Sequence, residues 1–163
     1  MKQLPSSDRL KALLNYDPTT GVFTWKAARP GVTAGAVAGS VGHQGYRTIW
    51  IDGCPYLAHR LAWLFVTGLD PVFQIDHKNG VKDANWFDNL REATQKQNSE
   101  NREAYGASGF RGVYYIKARK KFQVQVQHNG KKTTYGYYHT AEEADAVAEA
   151  VRQEKFTHHR EAA

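Results

Sequence analysis

One stretch constrains this chain more than any other. Residues 74–98, QIDHKNGVKDANWFDNLREATQKQN, set Asp76 and His77 side by side after a short apolar lead-in. A polar loop follows, then Asn89-Leu90-Arg91, then a helical stretch carrying Asn98. Asp76 and Asn98 lie 22 positions apart, a span that strand, loop, strand and short helix can close into a claw. That geometry would bring a carboxylate, an imidazole and an amide to one point.

Such a set suits phosphodiester hydrolysis, which needs an activated water and charge stabilisation on the phosphate and leaving oxygens. Asp76 and the amide oxygen of Asn98 are hard donors, matched to one Mg²⁺ or Mn²⁺ that keeps several waters. Zinc is not expected, because a single cysteine, Cys54, excludes a Cys₄ or Cys₂His₂ cage within one chain. The same count excludes an intramolecular disulfide, and Cys54 reads as a small buried hydrophobe beside the Asp52-Gly53 turn. His77, with an ordinary pKa near ~6.5, is the natural general base. Asn89 reads as the clamp that ties the loop so that His77 points inward.

With these residues in place, the stretch resembles an HNH endonuclease motif of the ββα-metal type, in the variant whose last His is Asn. His77 matches the first His, Asn89 the central Asn and Asn98 the third position, while Asp76 matches the metal-binding acid of the homing-endonuclease branch. The resemblance covers residues 55 to 101. It implies DNA cleavage at a single metal ion and a phage-borne or otherwise mobile setting in a bacterial host. Related proteins carry a His-Arg pair ahead of the catalytic segment, which points to His59 and Arg60, and Asn101 is a further near-site candidate. Lys78 and Lys82 in the polar loop are candidate phosphate contacts, as is Arg60.

The rest of the chain is consistent with a nucleic-acid partner. Lys plus Arg total 22 against 16 Asp plus Glu, a net charge of +6, which favours polyanions. No apolar run reaches the ~18 residues of a membrane span, and the polar N-terminus does not read as a signal peptide, so a cytoplasmic protein is expected. Residues 5–15 read as a short helix with a leucine stripe, 22–26 and 46–51 as strands, and Asp52-Gly53 as a hairpin turn. The Gly-rich segment 29–45 contains no GxxxxGK[ST] phosphate loop and reads as a connector. Residues 58–67 form an apolar helix stopped by Gly68. Gln74 to His77 is a strand, Leu90 anchors another, and Thr94 opens the helix holding Asn98.

From Ser108 the pattern changes. Phe110 to Lys117, Phe122 to Gln127 and Lys131 to Tyr138 alternate as strands, and Asn129-Gly130 closes a hairpin. Thr140-Ala141-Glu142-Glu143 is a capping box, opening a helix with Ala144, Val147, Ala148 and Val151 on one face. Three antiparallel strands covered on one side by one helix would expose Gln123, Gln125, Gln127, Lys132 and Thr134 on the other. A sheet of this width can enter a major groove. Residues 108–156 resemble the plant ethylene-response-factor (APETALA-type) DNA-binding domain, through SGFRGV at 108–113, NGKK at 129–132 and YGYYHTAEEA at 135–144. That resemblance implies that Arg111, Gln125, Gln127, Lys132 and Thr134 face DNA. Several arginines and tryptophans of the family's reading face are Tyr, Ile, Gln or Thr here.

The expectation is therefore an α+β chain: an HNH nuclease domain at 1–101, a linker at 102–108 and a DNA-binding sheet at 109–158. It would act on double-stranded DNA as a monomer or homodimer, nicking by default because one metal claw cuts one strand. A DNA-binding regulator with an inactive HNH fold is the alternative.

Overall fold

The computed structural model describes residues 3–100 and 108–156. The expected linker, save Ser108, and Asn101 lie outside the described residues. The chain is α+β, and its contacts divide it into two compact units that meet at Gln95/Lys96, upstream of the expected linker.

In the first unit, helix α1 (Ser7–Leu13) starts where Ser6 Oγ accepts from Arg9 N at 3.2 Å, satisfying an otherwise orphaned N–H. Leu10 and Leu14 are fully buried. The chain then turns extended into β1 (Leu14–Tyr16), which pairs antiparallel with β2 (Phe23–Trp25). Between them Asp17 accepts from Thr19 N and Thr20 Oγ1, at 2.9 and 2.8 Å. These two bonds hold its carboxyl below the ordinary range.

A second sheet joins β3 (Ser40–Val41), β4 (Arg47–Ile51) and β5 (Cys54–Leu57). Asp52 and Gly53 turn β4 into β5 with φ of 49° and 74°, the left-handed pair that a two-residue hairpin requires. Cys54, expected to be buried, is half-buried on β5 opposite Ile51. Of the expected connector 29–45, residues 40–41 form β3; the part before it is pinned to β2 by Trp25 N to Ala36 O at 3.0 Å and Ala38 N to Phe23 O at 2.7 Å.

Helix α2 (Ala58–Thr67) follows without a break and ends at Gly68, whose φ of 75° places it in the left-handed region. Its inner face, Ala58, Leu61, Ala62 and Leu64, packs on Ile49, Ile51, Phe23 and Leu14 in one core. Trp63 and Phe65 are half-buried at the margin of that core. Two short strands, β6 (Gln74–His77) and β7 (Leu90–Ala93), pair antiparallel and lead to helix α3 (Gln95–Glu100).

The second unit is a meander of β8 (Val113–Ile116), β9 (Lys121–His128) and β10 (Lys131–Tyr138), with β9 central. Asn129 and Gly130 make the tight turn, with φ of 50° and 76°. Helix α4 (Ala141–Lys155) opens on the expected capping box, Thr140 with Glu143. It lays Ala144, Ala148 and Val151 on Val113, Val124 and Val126. Strand β8 is shorter than the alternation from Phe110 suggests. Ser108 Oγ bonds the carbonyls of Phe110 and Val113, at 3.2 and 2.7 Å, and folds those residues into a turn.

Candidate active site and nucleic-acid interface

The β6–β7 register explains the site's first feature. Asp76 pairs with Arg91 and His77 with Leu90, so each pair shares one face of the ribbon. Arg91 accordingly donates from Nε and Nη2 to Asp76 Oδ2, at 3.2 and 3.1 Å. The carboxylate expected to hold metal thus has a cation beside it. Among the described residues, no cluster of three or more His, Cys, Asp or Glu side chains is placed to hold a metal ion. The donor chemistry at Asp76 is one hard oxygen site, which fits an ion that keeps much of its water.

His77 is 4 % exposed. Its Nε2 lies 3.2 Å from Asn85 Oδ1. Asn85 Nδ2 donates to Asp83 O and Oδ1 at 3.0 and 3.2 Å, so Asn85 Oδ1 is the acceptor toward His77. His77 therefore carries its proton on Nε2, and Nδ1 keeps the basic lone pair. Burial lowers the His77 pKa, while Asn85, Asp76 and Asp83 oppose that shift. The ring is thus held in its uncharged form near neutral pH, as a general base must be.

Asn85 was not singled out by sequence reasoning, and it is hydrogen-bonded to His77. It is 1 % exposed, and the network around it draws in residues from far along the chain. Arg47 on β4 grips Asp83 with two bonds, at 2.9 and 3.0 Å. Arg47, Asp83, Asn85 and His77 form one polar strut. The hairpin between β1 and β2 supports the same loop from below. Tyr16 donates to Asn85 O at 2.7 Å, and Phe87 N donates to Pro18 O at 3.0 Å. Burial, then the charge of Asp17, pushes the Tyr16 phenol far above its ordinary pKa. Gly21, with φ 74°, passes so close that a Cβ would lie 2.3 Å from Asn85 C and Trp86 N.

Asn89 sits where a loop clamp would. Its Oδ1 accepts from Asn79 N at 3.1 Å, and its Nδ2 donates to Asn79 Oδ1 and Ala84 O at 3.0 and 2.7 Å. Lys78 N closes the base of the loop on Asn89 O at 2.9 Å. Lys82 is exposed, with Nζ 3.1 Å from Gln44 O and 5.3 Å from the Tyr46 ring. Arg60, read from sequence as a phosphate contact, instead meets Asp70 at 2.8 Å with its side chain 13 % exposed. Its charge is answered within the fold because the turn after Gly68 brings Asp70 back to α2. His59 is buried beside His77, with ring centroids 5.0 Å apart, and burial lowers its pKa to about 3. Asn98 is half-buried on α3, beyond the contact boundary at Gln95.

In the second unit, four of the expected DNA-facing residues converge. Arg111, Gln125, Gln127 and Lys132 line one hollow together with Tyr114. Gln127 pairs with Lys132 and Gln125 with Thr134 across β9 and β10. Thr134 is exposed, but its Oγ1 accepts from Gln123 Nε2 at 3.0 Å, so Gln123 is spent on the sheet itself. The buried Arg152 of α4 also lines the hollow, and it donates to Arg111 O at 2.6 Å and to Glu149 at 2.6 Å. Charge is segregated in this unit. Residues 108–140 contain Arg111, Lys117, Arg119, Lys120, Lys121, Lys131 and Lys132 and no acid, whereas α4 contains Glu142, Glu143, Asp145, Glu149 and Glu154.

Comparison with known proteins gives a family match over the segment that holds Asp76, His77 and Asn89. Residues 56–100 match a family model described as HNH endonuclease, a span that begins in β5 and ends with α3. Comparison with curated proteins gives no match. A solved structure described as "DNA binding and cleavage by the HNH homing endonuclease I-HmuI" is 27 % identical, with a TM-score of 0.42. The match covers 54 % of this chain and 50 % of that one, so it spans about half the length of that relative. The ethylene-response-factor resemblance finds no counterpart in these comparisons. No helix among the described residues is long and apolar enough to cross a membrane.

Proposed function

We propose that this protein is a metal-dependent DNA endonuclease that hydrolyses phosphodiester bonds. The observation that carries the reading is the state of His77. It is buried, uncharged by virtue of burial, fixed through Nε2 by Asn85 and next to Asp76, inside the segment that matches HNH endonucleases. Nδ1 of His77 takes a proton from the attacking water. Asn89 keeps the loop closed around that ring. Asp76 and Asn98 would hold one Mg²⁺ or Mn²⁺, with Arg91 yielding part of its hold on Asp76. The bound ion would supply positive charge to the phosphate and to the leaving oxygen.

The second unit positions the enzyme on double-stranded DNA through the sheet face opposite α4. Arg111 and Lys132 meet phosphates, and Gln125 and Gln127 reach base edges, where an amide can pair bidentately with adenine. Lys78 and Lys82 add phosphate contacts near the site. With one active site per chain, nicking is the expected product.

Relaxation of supercoiled plasmid by the protein and by His77→Ala, each in Mg²⁺ and in EDTA, tests the reading. Nicking that needs Mg²⁺ and is lost in the variant supports it. Linear product would indicate paired cuts by a dimer. No cutting, together with a salt-sensitive gel shift, would overturn it in favour of a DNA-binding regulator.

A further inference from the structure

His59 poses a question that the proposed reaction does not answer. It is 5 % exposed, and its Nδ1 is buried with no hydrogen-bond partner. A buried polar atom without a partner is destabilising, so the ring contacts are what the fold gains at this position. The ring is not isolated, however. It stands nearly perpendicular to His77, at 83° with centroids 5.0 Å apart, and Tyr46 lies 5.4 Å from His59 and 6.2 Å from His77. Asn85 bonds Nε2 alone, so the plane of the His77 ring is set by what packs against it. The His59 ring at right angles is such a contact.

We infer that His59 is a positioning residue for His77: its ring, backed by Tyr46, fixes the plane of the base so that Asn85 keeps the proton on Nε2 and Nδ1 faces the reacting water. The inference rests on the reading of His77 as the base. It assigns His59 no contact with substrate or metal. The site needs a flat ring of small size at position 59, and bulk alone does not serve. Angular misplacement of a base lowers the rate of proton transfer far more than it lowers binding, because the substrate is held elsewhere.

The test uses the full chain with His59→Phe, which keeps a flat ring, and His59→Leu, which keeps bulk without one. Thermal unfolding and DNA binding establish that each variant is folded. In Mg²⁺-dependent plasmid nicking, His59→Leu is expected to lose ~10- to 100-fold in kcat with KM within ~3-fold of wild type. His59→Phe is expected to stay within ~5-fold of wild type in both. An activity-free readout accompanies this. Long-range ¹⁵N–¹H spectra of His77 should show the Nε2–H tautomer in wild type and His59→Phe, and averaged ring nitrogens in His59→Leu. A Leu variant with wild-type kcat and tautomer would overturn the inference, as would a Phe variant as impaired as Leu, which would move the role to the ring nitrogens. If wild type itself does not cut, the proposed function fails, and the tautomer spectra still decide the role of His59.

Discussion

The two units handle polar side chains in opposite ways. In the first, His77, Asn85 and Asn89 are buried and bonded at fixed places. In the second, Gln127, Lys132 and Thr134 are exposed on a regular strand ladder. A buried polar network is all-or-none, because losing one member strands its partner without water. An exposed ladder is graded, because water replaces what is lost. Chemistry belongs with the first kind of construction and tolerant docking with the second. Mutations should therefore fall steeply on one unit and shallowly on the other.

The largest expected effect is His77→Ala, a loss of ~10²- to 10⁴-fold in cleavage rate with DNA affinity within ~3-fold of wild type, read by plasmid nicking and gel shift. A variant that cuts normally would break the contrast at its root. Next comes Gly21→Ala, far from His77 in sequence yet pressed against the loop. It combines a left-handed φ with a backbone clash, and should lower the thermal midpoint and cut the rate by ~10-fold or more. Normal activity and stability there would show that the loop does not lean on the hairpin. Smaller again is Lys132→Ala, expected to weaken DNA binding several-fold while reducing the slope of log affinity against log salt by ~1, with kcat unchanged. An unchanged salt slope would remove Lys132 from the interface.

A pH dependence of stability bears on the first unit alone. His59 has a folded pKa of about 3 against an ordinary 6.5. Below pH 6.5 the unfolded chain takes up a proton that the folded chain refuses, so stability is complete above that value. It falls as the pH drops toward 3, at no more than ~1.4 kcal/mol per unit from this residue. His77, also lowered by burial, acts in the same sense. Urea midpoints at pH 7, 6 and 5 should decline in wild type and decline less in His59→Phe. Equal slopes would place the acid sensitivity in other groups.

What could be read without the structure was local. The Asp52-Gly53 turn, the span and Gly68 stop of α2, the Gln74–His77 strand and the capping box at Thr140 all depend on neighbours within a few residues. Asp76 and His77 stand out because Asp-His sits ahead of Asn-Leu at motif spacing. What stayed hidden depends on distance along the chain. Nothing local says that Asn85, and not Asn89, touches His77, or that Arg47 grips Asp83 from 36 residues away. The Arg60–Asp70 ion pair was hidden for the same reason, since Asp70 meets Arg60 only once α2 has turned. The burial of His59 against His77 likewise needs α2 laid across β6.

The hairpin ending at Gly21 bears on how such a protein can be rearranged. The recognisable nuclease segment starts only at Tyr56, yet Tyr16, Pro18, Gly21 and Arg47 all hold its loop in shape. Residues 56–100 moved alone into another host would arrive without their underpinning. The sheet of residues 108–156 has its own core, cap and turns, and is the part that could be exchanged as a unit. Portability ends at the first unit's own N-terminal hairpin.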